Sequence, residues 1–435
     1  MFKILLFTLF GLPLLGLSQQ WRDLDGGVDG AVHAMYVDSI NNELYVGGTF
    51  QHAGGLFTSC IAKWDSVQWS DVGSDTIKGF ADVRCIAKFN GDIIAGGFFD
   101  SIGMVRMNNI SRWDGSRWNP MGFGFSGAVL ALKEYKGELY AGGSFEFSGN
   151  DTIIRIAKWD GFNWMNLPGF IRLDDDVETL IQYDSLLVIG GDFQSASSIP
   201  NSSRIIAFDG VNWISLNSFF NSFIFALEVF QDTLYAGGRF TSAPGAPSNY
   251  MSKFDGLNWQ PMPYPSGGTN WITDMSVFQN SLVVVGYFND PEDIGVFNGI
   301  SYDSIGGAMG SVFRSEVFKN ELYVAGGFTQ IGNINTLSVA RYSDFISNLN
   351  SSFDFVDSIR IYPNPVTNNY FQLDYGNSLN EQLIVLASNV FGQKLNLNII
   401  DNKYYFTDAS NGIYFIQVYI QDRLLKKAPI ILIKP

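Results

Sequence analysis

The sequence contains few of the residues that active sites and metal sites use most. Two cysteines, Cys60 and Cys85, and two histidines, His33 and His52, are present in 435 residues. Two thiols are too few for a disulfide scaffold, and the sequence leaves open whether they pair in an oxidising compartment. A zinc site or a Ser-His-Asp triad needs histidine, and neither histidine lies in a motif of either kind. We therefore expect no catalytic residue, no metal ion and no cofactor.

Basic residues are also scarce. The chain has 27 Lys and Arg against 42 Asp and Glu, which gives a net charge of −15. Nucleic-acid binding needs clustered cations to neutralise phosphates, so this class of partner is excluded. The 46% of hydrophobic residues is enough for a large core, and the 46 glycines are typical of a fold with many turns.

Long apolar runs are missing beyond the N-terminus. The apolar run at 4–17 follows Lys3, and Gly16 and Ser18 supply the small residues of a cleavage site. Residues 1–18 are therefore predicted to be a secretory signal peptide, which is too short to span a membrane. The mature protein is expected to begin at Gln19 and to have no transmembrane segment.

What the chain has instead is a repeat of two motifs. The stretch KWDGFNW at 158–164 recurs as KWDSVQW at 63–69, RWDGSRW at 112–118, AFDGVNW at 207–213, KFDGLNW at 253–259 and VFNGISY at 296–302. The second motif is LYVGGTF at 44–50, IIAGGFF at 93–99, LYAGGSF at 139–145, LVIGGDF at 187–193, LYAGGRF at 234–240, LVVVGYF at 282–288 and LYVAGGF at 322–328. This spacing of 40 to 49 residues is typical of a propeller or a solenoid.

Each repeat predicts four short strands. The first is apolar and ends in a two-residue turn such as Asn90-Gly91, which suits a type I′ hairpin. The second carries the glycine pair, the third ends in an aromatic residue, and an Asp-Gly turn leads to a fourth strand that opens with Trp. We expect both central residues of the Asp-Gly turn to have positive φ. Most tryptophans are predicted to pack between sheets, and Trp271 alone lies outside the two repeated Trp positions.

The ends of the repeat region complete each other. Residues 21–24 look like a lone fourth strand, and residues 339–342 look like a third strand that no Trp strand follows. Pairing of the two would close a ring without leaving a broken sheet. The predicted fold is therefore all-β: a seven-bladed β-propeller over residues 19–345, closed by its N- and C-terminal strands.

The order of the motifs resembles the kelch repeat. A WD repeat would place a Gly-His pair before the Trp-Asp pair, and the two histidines of this chain cannot supply it. The units are similar to the kelch-like propellers of bacterial surface proteins and fungal cortical marker proteins, which have the pattern GG-x-F…IA-x-W-D-G-x-x-W. The resemblance covers residues 20–345 and implies the fold, whereas propellers host unrelated functions.

The C-terminal part differs from the repeats. Residues 346–358 are polar and predicted to be a linker, and residues 359–435 contain short strands of a small β-sandwich. The motifs YPNP at 362–365, FGQK at 391–394 and NGIYF at 411–415 follow one another in this segment, before a final Lys-rich strand. Together they resemble the type A C-terminal sorting domain of type IX secretion in Bacteroidota, although Asn389 stands where that family usually has Asp. The resemblance implies the outer-membrane type IX secretion machinery as a partner, and a protein that is secreted or anchored at the outer cell surface. The motifs that carry it contain Tyr362, Pro363, Asn364, Pro365, Gly392, Gly412, Tyr414, Lys426 and Lys427.

The long loops are the predicted binding region. Loops between strands two and three and between strands four and one are long, unlike one another, and on the face opposite the tight turns. Aromatic rings in them suit sugar rings or a protein partner, or simply pack the loop layer. The acidic run Asp174-Asp175-Asp176 with Glu178 is either a calcium site or a solvated loop. The ligand-binding candidates are Phe123, Phe125, Phe170, Phe219, Phe220, Tyr264 and Trp271.

These observations predict a secreted or cell-surface binding propeller, a monomer and not an enzyme, that recognises a glycan or a partner protein. The alternative is an extracellular polysaccharide-active enzyme built on a propeller.

A further pattern, Asp followed by Ser or Thr and then Ile, Leu or Val, occurs nine times. It resembles the O-glycosylation site of exported Bacteroidota proteins, and turn chemistry is the other explanation. The candidate O-glycosylation sites are Ser39, Thr76, Ser101, Thr152, Ser185, Thr233, Ser304 and Ser358.

Overall fold

A computed structural model shows two compact units, Met1–Asp344 and Phe345–Pro435. In the first unit the structure describes residues 20–73, 77–78, 81–102, 105–169, 171–197, 199–243, 246–247, 249–262, 271–287, 293–297 and 302–343. In the second unit it describes residues 360–362, 370–374, 383–389, 394–395, 397–400, 403–406, 412–420 and 423–432. The predicted signal peptide lies outside the described residues. No helix within these ranges has the length and apolarity that a membrane crossing requires.

The described residues of the first unit form seven antiparallel sheets with four main strands each, which we call blades 1 to 7. From the innermost strand outward, blade 1 is Val32–Asp38, Glu43–Gly48, Ile61–Trp64, Trp69–Asp71; blade 2 is Asp82–Phe89, Asp92–Phe98, Ile110–Trp113, Trp118–Pro120; blade 3 is Val129–Tyr135, Glu138–Gly143, Ile156–Trp159, Trp164–Met165; blade 4 is Val177–Tyr183, Leu186–Gly191, Ile205–Phe208, Trp213–Ile214; blade 5 is Ile224–Phe230, Thr233–Gly238, Met251–Phe254, Trp259–Pro261; blade 6 is Trp271–Phe278, Ser281–Tyr287, Ile294–Phe297, Tyr302–Ser304; blade 7 is Ala308–Phe318, Glu321–Ile331, Val339–Ser343, Gln20–Asp23.

Short strands lie in the loops between the second and third strands, and Ile77–Lys78 and Ser218–Phe219 lie between a fourth strand and the first strand of the next blade. They form small two- or three-stranded sheets, and Ile334–Asn335 adds a fifth strand to blade 7. The bounds are His52–Ala53, Leu56–Phe57, Ile77–Lys78, Ser101–Ile102, Val105–Arg106, Phe147–Ser148, Asp151–Thr152, Ser202–Ser203, Ser218–Phe219, Ser242–Ala243 and Ala246–Pro247.

The blades form a closed ring. The innermost strand of each blade contacts the innermost strand of the next, and that of blade 7 contacts that of blade 1. At this last junction Arg314 Nε donates a hydrogen bond of 2.7 Å to the carbonyl oxygen of His33. The described residues contain strands and no helix. The prediction of an all-β propeller is therefore confirmed.

Blade 7 is built from both ends of the unit. Gln20–Asp23 pairs with Val339–Ser343 in antiparallel register, with Trp21 opposite Tyr342. The two rings lie 5.0 Å apart, and the Trp21 indole N–H donates to the carbonyl oxygen of Ile305 at 2.8 Å. The predicted pairing of the terminal strands is confirmed.

The second glycine of the repeated pair is required by a bulge in the neighbouring strand. In blade 3 the pairing of the first two strands shifts between Val129 and Ala131, which brings a carbonyl group close to the second strand. A Cβ on Gly143 would lie 2.1 Å from the carbonyl oxygen of Ala128, so only glycine fits. The same close approach, 2.0 or 2.1 Å, occurs at Gly48, Gly97, Gly191, Gly238, Gly286 and Gly326.

The first glycine of the pair serves the contact between blades. A Cβ on Gly142 would lie 2.3 Å from Val177 Cγ1, which belongs to the innermost strand of blade 4. Blades 6 and 7 carry Val285 and Ala325 at this position. The first glycine therefore permits a close approach of neighbouring blades in blades 1 to 5, whereas blades 6 and 7 accommodate a larger residue.

The two kinds of turn follow different rules. The type I′ prediction is confirmed at Asn90 and Gly91, whose φ angles are 51° and 91°. The prediction for the Asp-Gly turns is wrong, because Gly161 has a φ of 104° whereas Asp160 is not left-handed. Asp160 instead accepts hydrogen bonds of 2.7 and 2.6 Å from the next-but-one and third following amides. These backbone hydrogen bonds lower the pKa of the Asp160 carboxyl.

Tryptophans of the outer strands link neighbouring blades, as predicted. The Trp69 indole donates to the carbonyl oxygen of Leu24 at 2.6 Å, and Trp118 donates to that of Val72 at 2.7 Å. In both pairs the acceptor follows the outer strand of the preceding blade. A buried indole needs such a partner, so the repeated Trp contributes packing and a specific hydrogen bond at once.

Both cysteines are buried free thiols. Cys85 Sγ lies 3.4 Å from the carbonyl oxygen of Val129, and burial raises the pKa of this thiol. Burial also raises the pKa of Cys60 to about 11. The thiols therefore behave as small core residues rather than as a disulfide or a nucleophile.

The second unit consists of two four-stranded sheets in its described residues. Their buried core includes Phe371, Phe406, Tyr414 and Ile416. Tyr362 ends the strand Arg360–Tyr362, Gly412 begins Gly412–Ile420, and Lys426 and Lys427 lie in Arg423–Leu432, whereas Pro363, Asn364, Pro365 and Gly392 lie outside the described residues. In pairing order the sheets are Arg360–Tyr362, Tyr370–Asp374, Lys403–Phe406, Leu397–Ile400 and Lys394–Leu395, Leu383–Asn389, Gly412–Ile420, Arg423–Leu432.

Candidate functional site

The face with the long loops also contains one end of the central channel. Each innermost strand begins and each second strand ends on this face, because the two are antiparallel neighbours. Residues at these strand ends therefore surround the channel where it opens, and we call this region the channel mouth. Ligands of ring-shaped folds bind where side chains from several elements converge.

Five aromatic rings form a continuous row at the channel mouth, which we call the aromatic sector. Phe223 and Phe225 of blade 5 are stacked at 5.3 Å, and Phe225 meets the edge of Trp271 at 6.5 Å. Trp271 and Tyr287 of blade 6 are perpendicular at 4.8 Å, and Tyr287 lies 5.9 Å from Phe313 of blade 7. All five side chains are partly exposed. A row of half-exposed rings can bind a ligand through apolar faces.

Charged groups occupy the mouth beyond the aromatic sector. His33 of blade 1, whose ring lies 5.3 Å from Phe313, is 2.6 Å from Asp82 through Nδ1 and Oδ1. Asp82 also accepts a hydrogen bond of 3.2 Å from Arg84. On blade 4, burial raises the pKa of the Glu178 carboxyl, and Arg84 opposes that effect. The mouth is thus rich in aromatic rings over blades 5 to 7 and carries most of its charged groups on blades 1, 2 and 4.

Two guanidinium groups lie against the aromatic sector. The Arg239 guanidinium is 4.9 Å from the centre of the Trp271 ring, and its side chain is exposed. The buried Arg204 lies 5.9 Å from the Phe223 ring and forms an ion pair with Asp192. A guanidinium group is attracted to the face of an aromatic ring and can stack on it.

The repeat shows that the aromatic sector is a local feature. Three equivalent positions of each blade lie at the mouth: before the first buried Val or Ile, at the bulge, and after the second glycine. Across blades 1 to 7 they hold Ala31, Asp82, Ala128, Asp176, Phe223, Trp271 and Ser311; His33, Arg84, Leu130, Glu178, Phe225, Thr273 and Phe313; and Thr49, Phe98, Ser144, Asp192, Arg239, Tyr287 and Gly327. All the aromatic residues except Phe98 belong to blades 5 to 7. The fold itself does not need them, since the other blades lack them.

The predicted loop aromatics fall into three groups. Phe125 and Phe220 are only 3% and 2% exposed and pack on Phe145 and Phe240, so they are corrected to core residues beneath the loops. Their position in the repeat is apolar because it covers the end of the blade. Trp271 lies at the mouth, on a strand rather than in a loop.

The remaining candidates lie elsewhere. Phe123 is 68% exposed and covers the turn at Gly149, where a Cβ would lie 2.9 Å from its ring. Phe219 is exposed in the short strand Ser218–Phe219. Phe170 and Tyr264 lie outside the described residues. Of the five predicted aromatics that the structure describes, only Trp271 lies in the aromatic sector, and the others lie apart from it.

Asp174 of the acidic run binds backbone amides of a neighbouring loop. Asp174 Oδ1 accepts hydrogen bonds from the backbone amides of Gln194 and Ser195 at 2.8 and 3.0 Å. Asp29, Ser126 and Asn221 accept equivalent pairs in other blades. Within the described ranges, no cluster of three or more His, Cys, Asp or Glu side chains could hold a metal ion. Asp174 therefore caps the neighbouring loop by binding two backbone amides.

The candidate glycosylation residues differ in accessibility. Ser39, Thr152, Ser185 and Ser304 are exposed, Ser101 and Thr233 are half-buried, and Thr76 and Ser358 lie outside the described residues. In the first triplet Asp38 is buried, accepts hydrogen bonds from the amides of Ile40 and Asn41, and pairs with Lys88 at 2.5 Å. Turn chemistry therefore accounts for the Asp of that triplet.

The chain matches no protein-family model and no curated protein. Similar solved structures include the WD40 β-propeller domain of Doa1, at 11% identity over 73% of this chain and 94% of that chain with a TM-score of 0.47. The WD40 repeats of RRP9 match at 11% identity over 75% and 99%, with a TM-score of 0.49. An extracellular domain from a B. thetaiotaomicron protein matches at 12% identity over 96% of this chain and 59% of that chain, with a TM-score of 0.46. The assignment to the β-propellers rests on the strand order and the closed ring described above.

Proposed function

We propose that this chain is an exported, non-enzymatic binding propeller that recognises a glycan at the channel mouth. The observation that carries this proposal is the aromatic sector, from Phe223 to Phe313, with His33 and the guanidinium of Arg239 beside it. Sugar rings present apolar C–H faces to aromatic rings and hydroxyl groups to charged donors and acceptors. A mouth with converging rings suits a glycan better than a flat protein surface does.

Binding is favoured over glycoside hydrolysis by the state of the carboxylates at the mouth. Asp82 is engaged by both His33 and Arg84, and Asp176 forms an ion pair of 3.0 Å with Arg155. A glycosidase needs one carboxylic acid and one carboxylate free to flank the scissile bond. Ion-paired carboxylates are poorly suited to either task.

A glycan array with the processed protein tests the proposal. Trp271→Ala should remove the central ring of the row and abolish binding of whichever glycan the parent protein binds. Phe162→Ala is the matched control, because Phe162 is 81% exposed in an Asp-Gly turn on the opposite face. Unchanged binding by Trp271→Ala, or release of sugars from a polysaccharide by the parent protein, would contradict the proposal.

The export route and the repeat class belong to the same proposal. The sequence resemblances support kelch-like repeats, a type IX sorting domain and a location outside the cell, secreted or at the outer surface. The exposed Ser39, Thr152, Ser185 and Ser304 support O-glycosylation of the exported protein. A mass of the native protein equal to that of the bare processed chain would contradict the glycosylation.

A further inference from the structure

The Arg239 side chain is an exposed cation at the channel mouth. Its guanidinium lies on the Trp271 ring, is exposed, and has no carboxylate partner among the described residues. Some strand cations pair with an acid, as Lys63 does with Glu43 at 2.6 Å, whereas Arg239 contacts an aromatic ring. In a chain with 42 acidic and 27 basic residues, an arginine without an acid partner at the mouth is available for an external anion.

The contact with Trp271 prepares this guanidinium for a planar anion. Stacking uses the face of the guanidinium and leaves its N–H groups, which lie in the guanidinium plane, free to donate. Those donors form a rigid fork that matches the two oxygens of a carboxylate. Because the ring restrains the side chain before the ligand arrives, less conformational entropy is lost on binding.

The rings beside Arg239 leave room for sugars. At the mouth position of blade 7 the chain has Gly327, where an added Cβ would meet Phe313 Cε2 and Ala31 Cβ at 3.8 Å and nothing closer. A side chain there would cover the Phe313 ring, and its absence leaves that ring accessible. A sugar on Trp271 and Tyr287 would thus have Arg239 on one side and an open aromatic surface on the other.

The acidic residues of the mouth do not oppose an anionic ligand strongly. Asp82 is held between His33 and Arg84, at 2.6 and 3.2 Å. Asp176 likewise pairs with Arg155 at 3.0 Å. Both carboxylates therefore already face a basic group, which weakens their repulsion of an anionic ligand.

We infer that the glycan recognised at the mouth carries carboxylate groups on its sugars, as uronic acids do, and that Arg239 binds one of those carboxylates. This inference rests on the proposed glycan-binding function and names the ligand class of the same site. It makes Arg239 the residue that determines specificity, whereas Trp271 contributes to binding of acidic and neutral glycans alike.

The test compares oligomers of galacturonate, glucuronate and mannuronate with their methyl esters, by calorimetry on the processed protein. The esters keep the sugar backbone and lose the charge. We expect at least one acid form to bind about ten-fold more tightly than its ester, the size of one charge-assisted hydrogen-bond pair, and the preference to weaken with added salt.

Arg239→Gln should remove the preference and retain binding of the ester. Arg117→Gln, which removes an exposed charge at an Asp-Gly turn, should change neither.

The outcomes separate the two claims. Equal binding of acid and ester, or an unchanged preference in Arg239→Gln, would overturn the carboxylate inference and leave glycan binding in place. Binding of neutral glycans alone would do the same. If neither acidic nor neutral glycans bind, the proposed function fails together with the inference.

Discussion

Single residues decide the geometry of each blade, and the second glycine of the pair is the clearest case. Gly143→Ala would place a methyl group 2.1 Å from the carbonyl oxygen of Ala128. We expect a loss of roughly 3 kcal/mol or more in the free energy of unfolding, because the backbone must move. Gly91→Ala is the control: its added Cβ meets nothing within 4 Å and only its φ of 91° is unfavourable. That control should lose about 1 kcal/mol. Equal losses in denaturant unfolding would contradict this account.

Half-buried carboxyl groups on the innermost strands should make stability depend on pH. Burial, together with the neighbouring Asp274 and Glu228, raises the pKa of Glu316 from 4.5 to about 8, and burial raises that of Glu228 to about 7. Between the ordinary pKa of 4.5 and the raised values, the folded protein therefore binds more protons than the unfolded chain. Its free energy of unfolding falls as pH rises through this range. We expect the melting temperature to decrease from pH 5 to pH 8.

Substitution of Glu316 checks the source of this dependence. Glu316→Gln cannot ionise and should flatten the decrease between pH 5 and pH 8. Glu134→Gln is a matched control, because Glu134 is exposed at the end of an innermost strand. A melting temperature that rises over this pH range, or an unchanged slope in Glu316→Gln, would be inconsistent with the raised pKa.

At the scale of strands, the closing strand Gln20–Asp23 can be tested directly by deletion. Deletion of residues 19–26 removes the outer strand of blade 7 and with it the Trp21 ring that packs on Tyr342. It also leaves the backbone of Val339–Ser343 unpaired on one side, which favours aggregation. Thermal melts should show a large loss of stability or aggregation. A deletion variant that melts like the parent protein would show that the closing strand is dispensable.

The strands could be predicted from the sequence, and parts of the turns and the site could not. The motif around Gly142 and Gly143 recurs in every repeat, which predicts the strands. Trp21 is the residue that opens a fourth strand in other repeats, which predicts the closure. The role of Asp160 was missed because an Asp that accepts two amide hydrogen bonds and an Asp with positive φ have the same sequence pattern.

The channel mouth escaped sequence reasoning for a different reason. Phe225, Trp271 and Phe313 belong to three blades and meet only when the ring closes. They also lie on strands, whereas binding aromatics were sought in loops. A comparison of equivalent strand positions across the repeats would have shown that blades 5 to 7 alone replace small or charged residues by rings, apart from Phe98.

At the scale of the whole molecule, the two compact units lead us to expect separate tasks, binding by the first and export by the second. If the C-terminal unit is a type IX sorting domain, a chain cut after Ser358 should cross the inner membrane by its signal peptide and stop in the periplasm. We expect the propeller to remain folded there, because its closing strand and the strand that it pairs with both precede the cut.

Fractionation of a Bacteroidota host, with a glycan or antibody probe for folded protein, measures where the truncated protein accumulates. The full chain is the positive control, and a chain without residues 1–18 should stay in the cytoplasm. Truncated protein at normal levels on the surface or in the medium would contradict the assignment, because export would then not need the second unit.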